Sequence, residues 1–540
     1  GVFEVDKIER AALEKADYRL MAEYGIAITT GEIDALLAAT GCPDLTAFVG
    51  LFRTPEGEQK AIAALEQVIG KGDRTAALAQ AFYQLCHNTE IEELRTLFGD
   101  EFDEADLLKI YDFLRYRAAR NEMTVAGLLR SDPFHLVHVP ELSKGREGAY
   151  SVAQKLAEKL GMSNDLVKKM GACISMYLWQ QAEQGHTYCE RKKVTGIVLK
   201  RLGAFKDFTE ADTYVKELLP QPGKTTVWPS SAFAWEYKLL KAPCVYLAGV
   251  YHSERMAAES LIEILKSPPA VKVDAEQLVR AAREAAYVPL NREQEEFIRA
   301  VARSKVVLLD GEAGTGKTAA LAALVRGYRQ LTGEDVAVLA PTGIAARRLG
   351  ELAGVNLNFT IHRFAEIDRA AKDLAVKEFI VGVKEKTASG KELEVEKWNV
   401  SLVVVDEMSM ADVVMLGRLL NRCLPECRLV LAGDSGQLPP VGPGPVFKEL
   451  LRLAEEELPD GMERITLSRV YRQEEANLLD LARAVRRGNF RVPPAGVEVI
   501  EAKPEEVHNR AVEVAVQIWQ NYGGAQVMVL TPKHFGDRRK

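Results

Sequence analysis

The stretch at 306–318, VVLLDGEAGTGKT, constrains the chain more than any other. An apolar run, Val306, Val307, Leu308 and Leu309, ends in Asp310. Gly311, Gly314 and Gly316 follow, and Lys317-Thr318 open into the alanine- and leucine-rich AALAALV. A short apolar run bounded by glycines suits a buried strand, and the alanine-rich segment suits a helix. Glycines let the intervening backbone curl so that successive N–H groups face phosphate oxygens, and the helix adds its positive N-terminal end. In that setting Gly311, Glu312, Ala313, Gly314, Thr315 and Gly316 form a phosphate cradle. Lys317 would reach the β- and γ-phosphates, and the Thr318 hydroxyl would bind Mg²⁺. The alternative is a glycine-rich turn that only links strand to helix, but every position of G-x-x-x-x-G-K-T and both flanks match. The stretch reads as a nucleotide-binding site.

Length and composition set the limits. A chain of 540 residues has room for about three or four domains. With 47% hydrophobic and 27% charged residues it has an ordinary globular composition and ample core. A net charge of −7 and a pI near 5.8 exclude a global basic field, so any nucleic acid would be held by local basic patches. No apolar run approaches membrane-span length and no signal peptide precedes the acidic start, which argues against a membrane partner. Seven scattered cysteines without framework spacing point to reduced thiols and a cytoplasmic location. Cys423 and Cys427 have no second Cys or His pair nearby and read as a helix-end or loop pair rather than a zinc site. The chain opens on Gly1 and closes at Lys540, just after a strand-like run at 526–530. A parallel strand normally leads onward, so the sequence is expected to be a piece of a longer protein.

In chain order, residues 1–130 form a helical N-terminal region. Apolar residues recur at helical spacing over 8–23, 58–69 and 74–87, and Gly-Cys-Pro at 41–43 and Gly-Lys-Gly at 70–72 break them. His87, His135 and His138 read as surface or partly buried imidazoles. Residues 131–203 hold a Gly-containing loop at 144–148, an amphipathic helix at 150–160 closed by Gly161, a second helix, and Glu183-Gln-Gly-His-Thr-Tyr188. Two helices around a Gly turn can offer backbone N–H groups to a DNA phosphate, or can be a plain hairpin. Residues 204–286 form a mixed α/β connecting region, with a strand-like run at 244–252, helices at 254–265 and 271–286, and a Ser-Pro-Pro linker at 267–269.

From Tyr287 onward the pattern alternates between strand and helix. Asn291 is placed to cap a helix, and Gln294 could read an adenine edge with its paired donor and acceptor. Strand 336–340 runs into Pro341-Thr342-Gly343, a turn on the edge where α/β sheets bind ligands, and Thr360-Ile-His362-Arg-Phe364 follows. Both turns mix hydroxyls, bases and aromatics, which suits a single strand held by phosphate contacts and stacking as well as ordinary turn chemistry. The run at 402–405 delivers Asp406 and Glu407, one to hold Mg²⁺ and the other to orient or deprotonate the attacking water. Strand 428–432 ends in Gly433-Asp-Ser-Gly-Gln437-Leu-Pro-Pro440, where Gln437 could sense a γ-phosphate. A strand through 465–467 leads to Arg469 and Arg472, of which Arg472 is the stronger candidate for an arginine reaching the transferred phosphoryl group.

The ordered set GEAGTGKT, APTGIAARRL, TIHRF, VVVDEMSM, LAGDSGQLPPVGPG and LSRVYRQ resembles the superfamily-1 DNA helicases of the RecD type. The resemblance covers roughly 287–530. Upstream, DPFHL, AQKLAEKLG, EQGHTY and VYLAGVYHSE resemble the segment before the motor in stand-alone members, where a helix-hairpin-helix precedes the ATPase. The resemblance implies an α/β P-loop NTPase with RecA-like parallel sheets behind a mainly α-helical N-terminal region. A first RecA-like domain would span 287–460, and an incomplete second one would begin at 461–540. It implies ATP and Mg²⁺ as cofactors, single-stranded DNA and single/double-strand junctions as partners, and 5′→3′ movement in repair or recombination. By position it assigns Gln294 to adenine, Lys317 and Thr318 to phosphates and Mg²⁺, Asp406 and Glu407 to metal and water, and Gln437 and Arg472 to the γ-phosphate. Pro341, Thr342 and His362 fall beside the DNA strand. Met408 replaces the family's usual alanine in DEAS, and the glycines at 145 and 148 do not align with the family hairpin. The later motifs of the second domain would lie beyond Lys540. Two rival readings stand beside the motor. One is a nucleotide-switched DNA- or protein-binding subunit whose helical N-terminal region docks partners and which unwinds little by itself. The other is a related motor fused to a different N-terminal activity, such as a nuclease or DNA-nicking domain, against which stands the lack of a metal-binding His or acid cluster in 1–203.

Overall fold

The computed structural model describes residue 28 and residues 30–471, interrupted at 54, 122, 141, 163–164, 220–224, 228–231, 237–242, 367–378, 387–391 and 457–458. Beyond these it describes 481, 484–485, 488, 498, 500–503 and 506–522. The helix expected at 8–23, the strand expected at 526–530 and Arg472 lie outside the described residues. Two compact units make up the chain: Gly1–Gly311 with Lys317–Leu467, and Glu312–Gly316 with Ser468–Lys540.

The early helices stop where glycines interrupt them. Thr30–Thr40 ends at Gly41, Pro55–Ile69 ends at Gly70, and Asp73–Phe98 begins after Gly72. The last of these runs past its expected end at 87, because Ile91, Leu94 and Phe98 continue the buried stripe. Gly145–Lys159 and Leu166–Glu183 form the expected helix pair, with Gly161 in the left-handed region at φ +71°. Residues 145–148, expected as loop, belong to the first helix. Arg146 is the reason. It pairs with Glu183 at 2.8 Å, donates to the Val137 carbonyl at 2.9 Å and lies over the Trp179 ring at 4.5 Å, tying the two helices together.

Four short strands, β1 (Tyr188–Glu190), β2 (Thr225–Val227), β3 (Ala232–Glu236) and β4 (Cys244–Leu247), form an antiparallel sheet in the order β1-β4-β3-β2. The strand-like run at 244–252 is strand only to Leu247. Ala248–Lys266 is already helix, burying Val250, Ala257, Leu261 and Ile264 at helical spacing. It packs closely on the helix Val413–Asn421, where a Cβ on Gly417 would fall 2.7 Å from the Ser253 carbonyl.

The motor region is a six-stranded parallel sheet. Its strands are β5 (Val306–Gly311), β6 (Val336–Ala340), β7 (Asn358–Thr360), β10 (Leu402–Val405), β11 (Arg428–Gly433) and β12 (Met462–Leu467). An antiparallel pair, β8 (Ile380–Lys386) and β9 (Glu392–Trp398), intervenes. The sheet order is β12-β5-β11-β10-β6-β7. Strands buried on both faces need no polar side, and their alternation divides the core in two. Val306, Leu308, Ala337, Leu339, Val403, Val405, Leu429 and Leu431 join one cluster, which continues into Leu129, Ile174 and Val198 of the helical region. Val307, Leu309, Val338, Val404 and Val430 join the other, under the helices Ala275–Ala285, Arg292–Arg303, Lys317–Thr332 and Gly343–Ala353. The strand β12, expected to open a second domain at 461, instead pairs with β5 from Met462↔Val306 to Leu467↔Gly311. Met462 and Leu467 point into the two clusters, so it completes the first sheet.

Candidate nucleotide site at the carboxyl edge of the sheet

All the motif segments follow the carboxyl ends of strands in this sheet, the edge where parallel α/β sheets bind ligands. At the end of β5, Lys317 Nζ donates to the Gly311 carbonyl at 2.5 Å. Lys317 and Thr318 open the helix Lys317–Thr332, whose first-turn N–H groups have no partner within the helix. In the loop Glu312–Gly316, Gly314 and Gly316 take φ of +85° and +80°, which side chains resist. Thr315 Oγ1 caps the turn by donating to the Glu312 carbonyl at 2.8 Å, Ala313 is exposed, and the Gly314 carbonyl accepts from the Tyr471 N–H at 3.0 Å.

Across β11, the end of β10 presents the paired acids. Thr318 Oγ1 donates to Asp406 Oδ2 at 3.1 Å, joining the first helix turn after the loop to the first acid. Asp406 Oδ1 accepts the Glu407 N–H at 2.9 Å. Glu407 then turns left-handed, with φ +55° and ψ +36°, the one non-glycine with positive φ among the described residues. That conformation costs about 1–2 kcal/mol and lifts Glu407 out of the strand's alternation. Burial pushes the Asp406 carboxyl above the ordinary range, opposed by the Glu407 N–H, the Thr318 hydroxyl and the charges of Lys317 and Arg348. Glu407 is raised as well, by burial first and the Asp406 charge second, with Lys317 and Gln437 pulling it back. A buried carboxylate beside a hydroxyl is a pair of hard oxygen donors, the donor chemistry that Mg²⁺ takes.

Ser409 Oγ donates to Gln437 Oε1 at 3.2 Å, linking the acid motif to the loop after β11. That loop is tightened by Asp434, whose carboxylate takes the Gly436 N–H at 3.0 Å and whose carbonyl takes the Gln437 N–H at 3.0 Å. Sequence reasoning missed Ser409 and also Asp310, Ser435 and Arg464. Ser435 donates its N–H and Oγ to Asp310 at 3.0 and 2.9 Å, and Arg464 lies 3.6 Å from the same carboxylate. The available signal was an acid closing an otherwise apolar strand.

The structure brings the two proposed DNA-side turns together. Ala340 of β6 is in register with Thr360 of β7. Thr342 caps Gly343–Ala353 through the Ala345 N–H, and Thr360 caps Ile361–Ala365 through the Arg363 N–H. Pro341 is half-buried, and Thr342 and His362 are exposed. Trp398 stacks on Phe364 at 4.9 Å and donates to its carbonyl at 2.9 Å, fixing the short helix from beneath. Gln294 is 3% exposed, and its Oε1 accepts the Asn291 N–H at 3.0 Å while Asn291 Oδ1 accepts the Gln294 N–H at 2.8 Å, a reciprocal cap. Arg469 lies over the Tyr471 ring at 5.2 Å.

Among known proteins, a family described as "AAA domain" matches residues 289–508. The ATP-dependent RecD2 DNA helicase of Deinococcus radiodurans is 28% identical over 413 residues, 76% of this chain and 52% of that protein. The ATP-dependent DNA helicase PIF1 of Saccharomyces cerevisiae is 32% identical over 214 residues, 37% of this chain and 23% of that protein. The RecBCD enzyme subunit RecD of Mycobacterium tuberculosis is 35% identical over 158 residues, 27% of this chain and 26% of that protein. The chain thus spans about half the length of the Deinococcus relative.

Proposed function

We propose that this chain, a RecD-like member of the superfamily-1 helicases, is the ATP-binding and hydrolysing part of a protein that moves 5′→3′ along single-stranded DNA in repair or recombination. One observation carries the reading. Thr318 of the Lys-Thr pair and Asp406 of the acid pair, 88 residues apart in sequence, meet at 3.1 Å. Thr318 and Asp406 would hold Mg²⁺, which when bound supplies positive charge for the β- and γ-phosphates. Gly311, Glu312, Ala313, Gly314, Thr315 and Gly316 would form the phosphate cradle, and Lys317 would reach the β- and γ-phosphates. Glu407, with its raised carboxyl, is suited to accept a proton from the attacking water and to orient it. Gln437, which accepts from Ser409 Oγ, would sense the γ-phosphate, Arg472 would stabilise the transferred group, and Gln294 would face adenine. Pro341, Thr342 and His362 would line the DNA path, and the helical N-terminal region would serve junctions or protein partners.

Unwinding belongs to the complete protein, so the test uses its full chain. Single-stranded DNA is expected to stimulate ATP turnover by about tenfold or more, and Lys317→Ala is expected to remove it. DNA-independent turnover, or a Lys317→Ala variant with intact activity, would sink the reading. The shared core between the helical region and one face of the sheet favours a second reading, a nucleotide-switched binding subunit. It would show ATP-dependent partner binding without DNA stimulation.

A further inference from the structure

The loop that carries Gln437 is anchored by a carboxylate on a different strand. Asp310 is the next-to-last residue of β5 and is 6% exposed. It stands level with Gly433 of β11 on one side and Thr466 of β12 on the other. A carboxylate held that far from water needs hydrogen-bonding partners. Its partners come from both neighbours: the Ser435 N–H at 3.0 Å and Ser435 Oγ at 2.9 Å after β11, and the Arg464 guanidinium at 3.6 Å on β12. Two hydrogen bonds from Ser435 thus converge on one buried carboxylate.

Ser435 is exposed, yet it lies two positions before Gln437 in a turn that Asp434 closes by taking the Gly436 and Gln437 N–H groups. Fixing Ser435 therefore fixes the direction in which Gln437 leaves the strand, and so its approach to Ser409 at 3.2 Å. On its other side Asp310 is followed at once by Gly311, whose carbonyl receives Lys317 Nζ. One strand end thus holds both the phosphate lysine and the anchor of the sensor loop.

We propose that Asp310 is a positioning residue for nucleotide hydrolysis, acting through Ser435 to hold Gln437 in place while leaving nucleotide affinity to the phosphate loop. The proposal rests on the ATPase reading above. Arg464 belongs to the same device. Lying between Asp310 and Glu455, it approaches Asp310 Oδ2 from β12 while Ser435 meets the same carboxylate from the loop after β11.

The experiment uses the full-length protein with Asp310→Ala, Asp310→Asn, Ser435→Ala, Gln437→Ala and the Asp310→Ala/Gln437→Ala double variant. The first readout is amide hydrogen exchange at Gly436, Gln437 and Leu438 without nucleotide, which does not depend on turnover. Loss of the anchor is expected to speed exchange there by about tenfold or more, with the Asp406–Met408 segment changed by less than about twofold. Ser435→Ala, a change at an exposed position, is expected to move the same amides in the same direction should Asp310→Ala fold poorly. Asp310→Asn, which keeps an oxygen for the Ser435 N–H, is expected to restore most of the protection. The second readout separates kcat from affinity. Asp310→Ala is expected to lower kcat about tenfold with ADP affinity within about threefold, and the double variant to be no slower than Gln437→Ala. Unchanged exchange in both Asp310→Ala and Ser435→Ala, or losses that multiply in the double variant, would overturn the proposal. A Lys317→Ala variant with full turnover would overturn the ATPase reading alone, and the exchange data would still decide on Asp310.

Discussion

Replacing Gly327 by alanine sets two opposed effects against each other. Gly327 lies in the helix Lys317–Thr332, where intrinsic propensity favours alanine by about 1 kcal/mol. A Cβ at that position would fall 2.5 Å from Ala282 N, 2.6 Å from Ala282 Cα and 2.9 Å from Ala281 C, all backbone of the helix Ala275–Ala285. No rotamer change relieves a clash with backbone, so the two helices must separate by about 1 Å, loosening Leu278, Leu321, Leu324 and Tyr328 between them. Overpacking of this kind costs about 1–3 kcal/mol, and with an unyielding obstacle the upper part of that range applies. The steric effect wins, leaving a net destabilisation of about 1–2 kcal/mol. Gly196, in the helix Arg191–Leu202, provides the control, because nothing lies within 4 Å of its Cβ position. In thermal unfolding, Gly327→Ala is expected to melt about 1–2 °C below the parent and Gly196→Ala at or above it. Should both variants gain stability alike, the close approach of the helix behind Lys317 to its neighbour would be refuted.

Three further outcomes are expected. Asp406→Asn removes a charge that burial disfavours. A raised folded-state pKa means that stability is gained below the unfolded value and lost as pH rises through the folded one. At neutral pH and without Mg²⁺ the variant should therefore melt at or above the parent, and with Mg²⁺ it should lose the proposed ATP turnover; a clear drop in melting temperature would contradict this. His135 is pushed down to about 3 by burial and by the Arg117 charge, with Arg117 Nη1 3.0 Å from its Nδ1. The unfolded chain takes up this proton near 6.5 and the fold does not, so stability should decline as pH falls from 6.5 towards 3. His135→Phe should flatten that acid limb in pH-dependent melting, and an unchanged limb would count against the assignment. Trp398→Phe leaves the Phe364 carbonyl without its indole donor in a fully buried site and should cost about 1–3 kcal/mol in urea unfolding; a neutral effect would show that the carbonyl has another partner.

The chain's own order of residues was enough to identify the sheet strands, because parallel strands buried on both faces are short apolar runs closed by turn residues, and 336–340, 402–405 and 428–432 all have that form. It also singled out Lys317, Thr318, Asp406, Glu407 and Gln437 as candidates, since G-x-x-x-x-G-K-T and paired acids after a strand are local patterns with few other uses. Helix limits were less legible where they depend on what packs against them. The helix at 248 begins six residues earlier than periodicity implies because β4 stops once its pairing ends, and 145–148 is helical because Arg146 bridges to Glu183 and Trp179. Pairing was not legible at all. That Met462–Leu467 lies beside Val306–Gly311, and not in a second domain, is decided by which apolar side chains meet across the sheet. The same pairing brings Ser435 and Arg464 to Asp310, residues 125 and 154 positions along the chain. A lone acid at a strand end carries no pattern that names its partners. Only the register of three strands, set by packing on both faces, decides what its carboxylate meets.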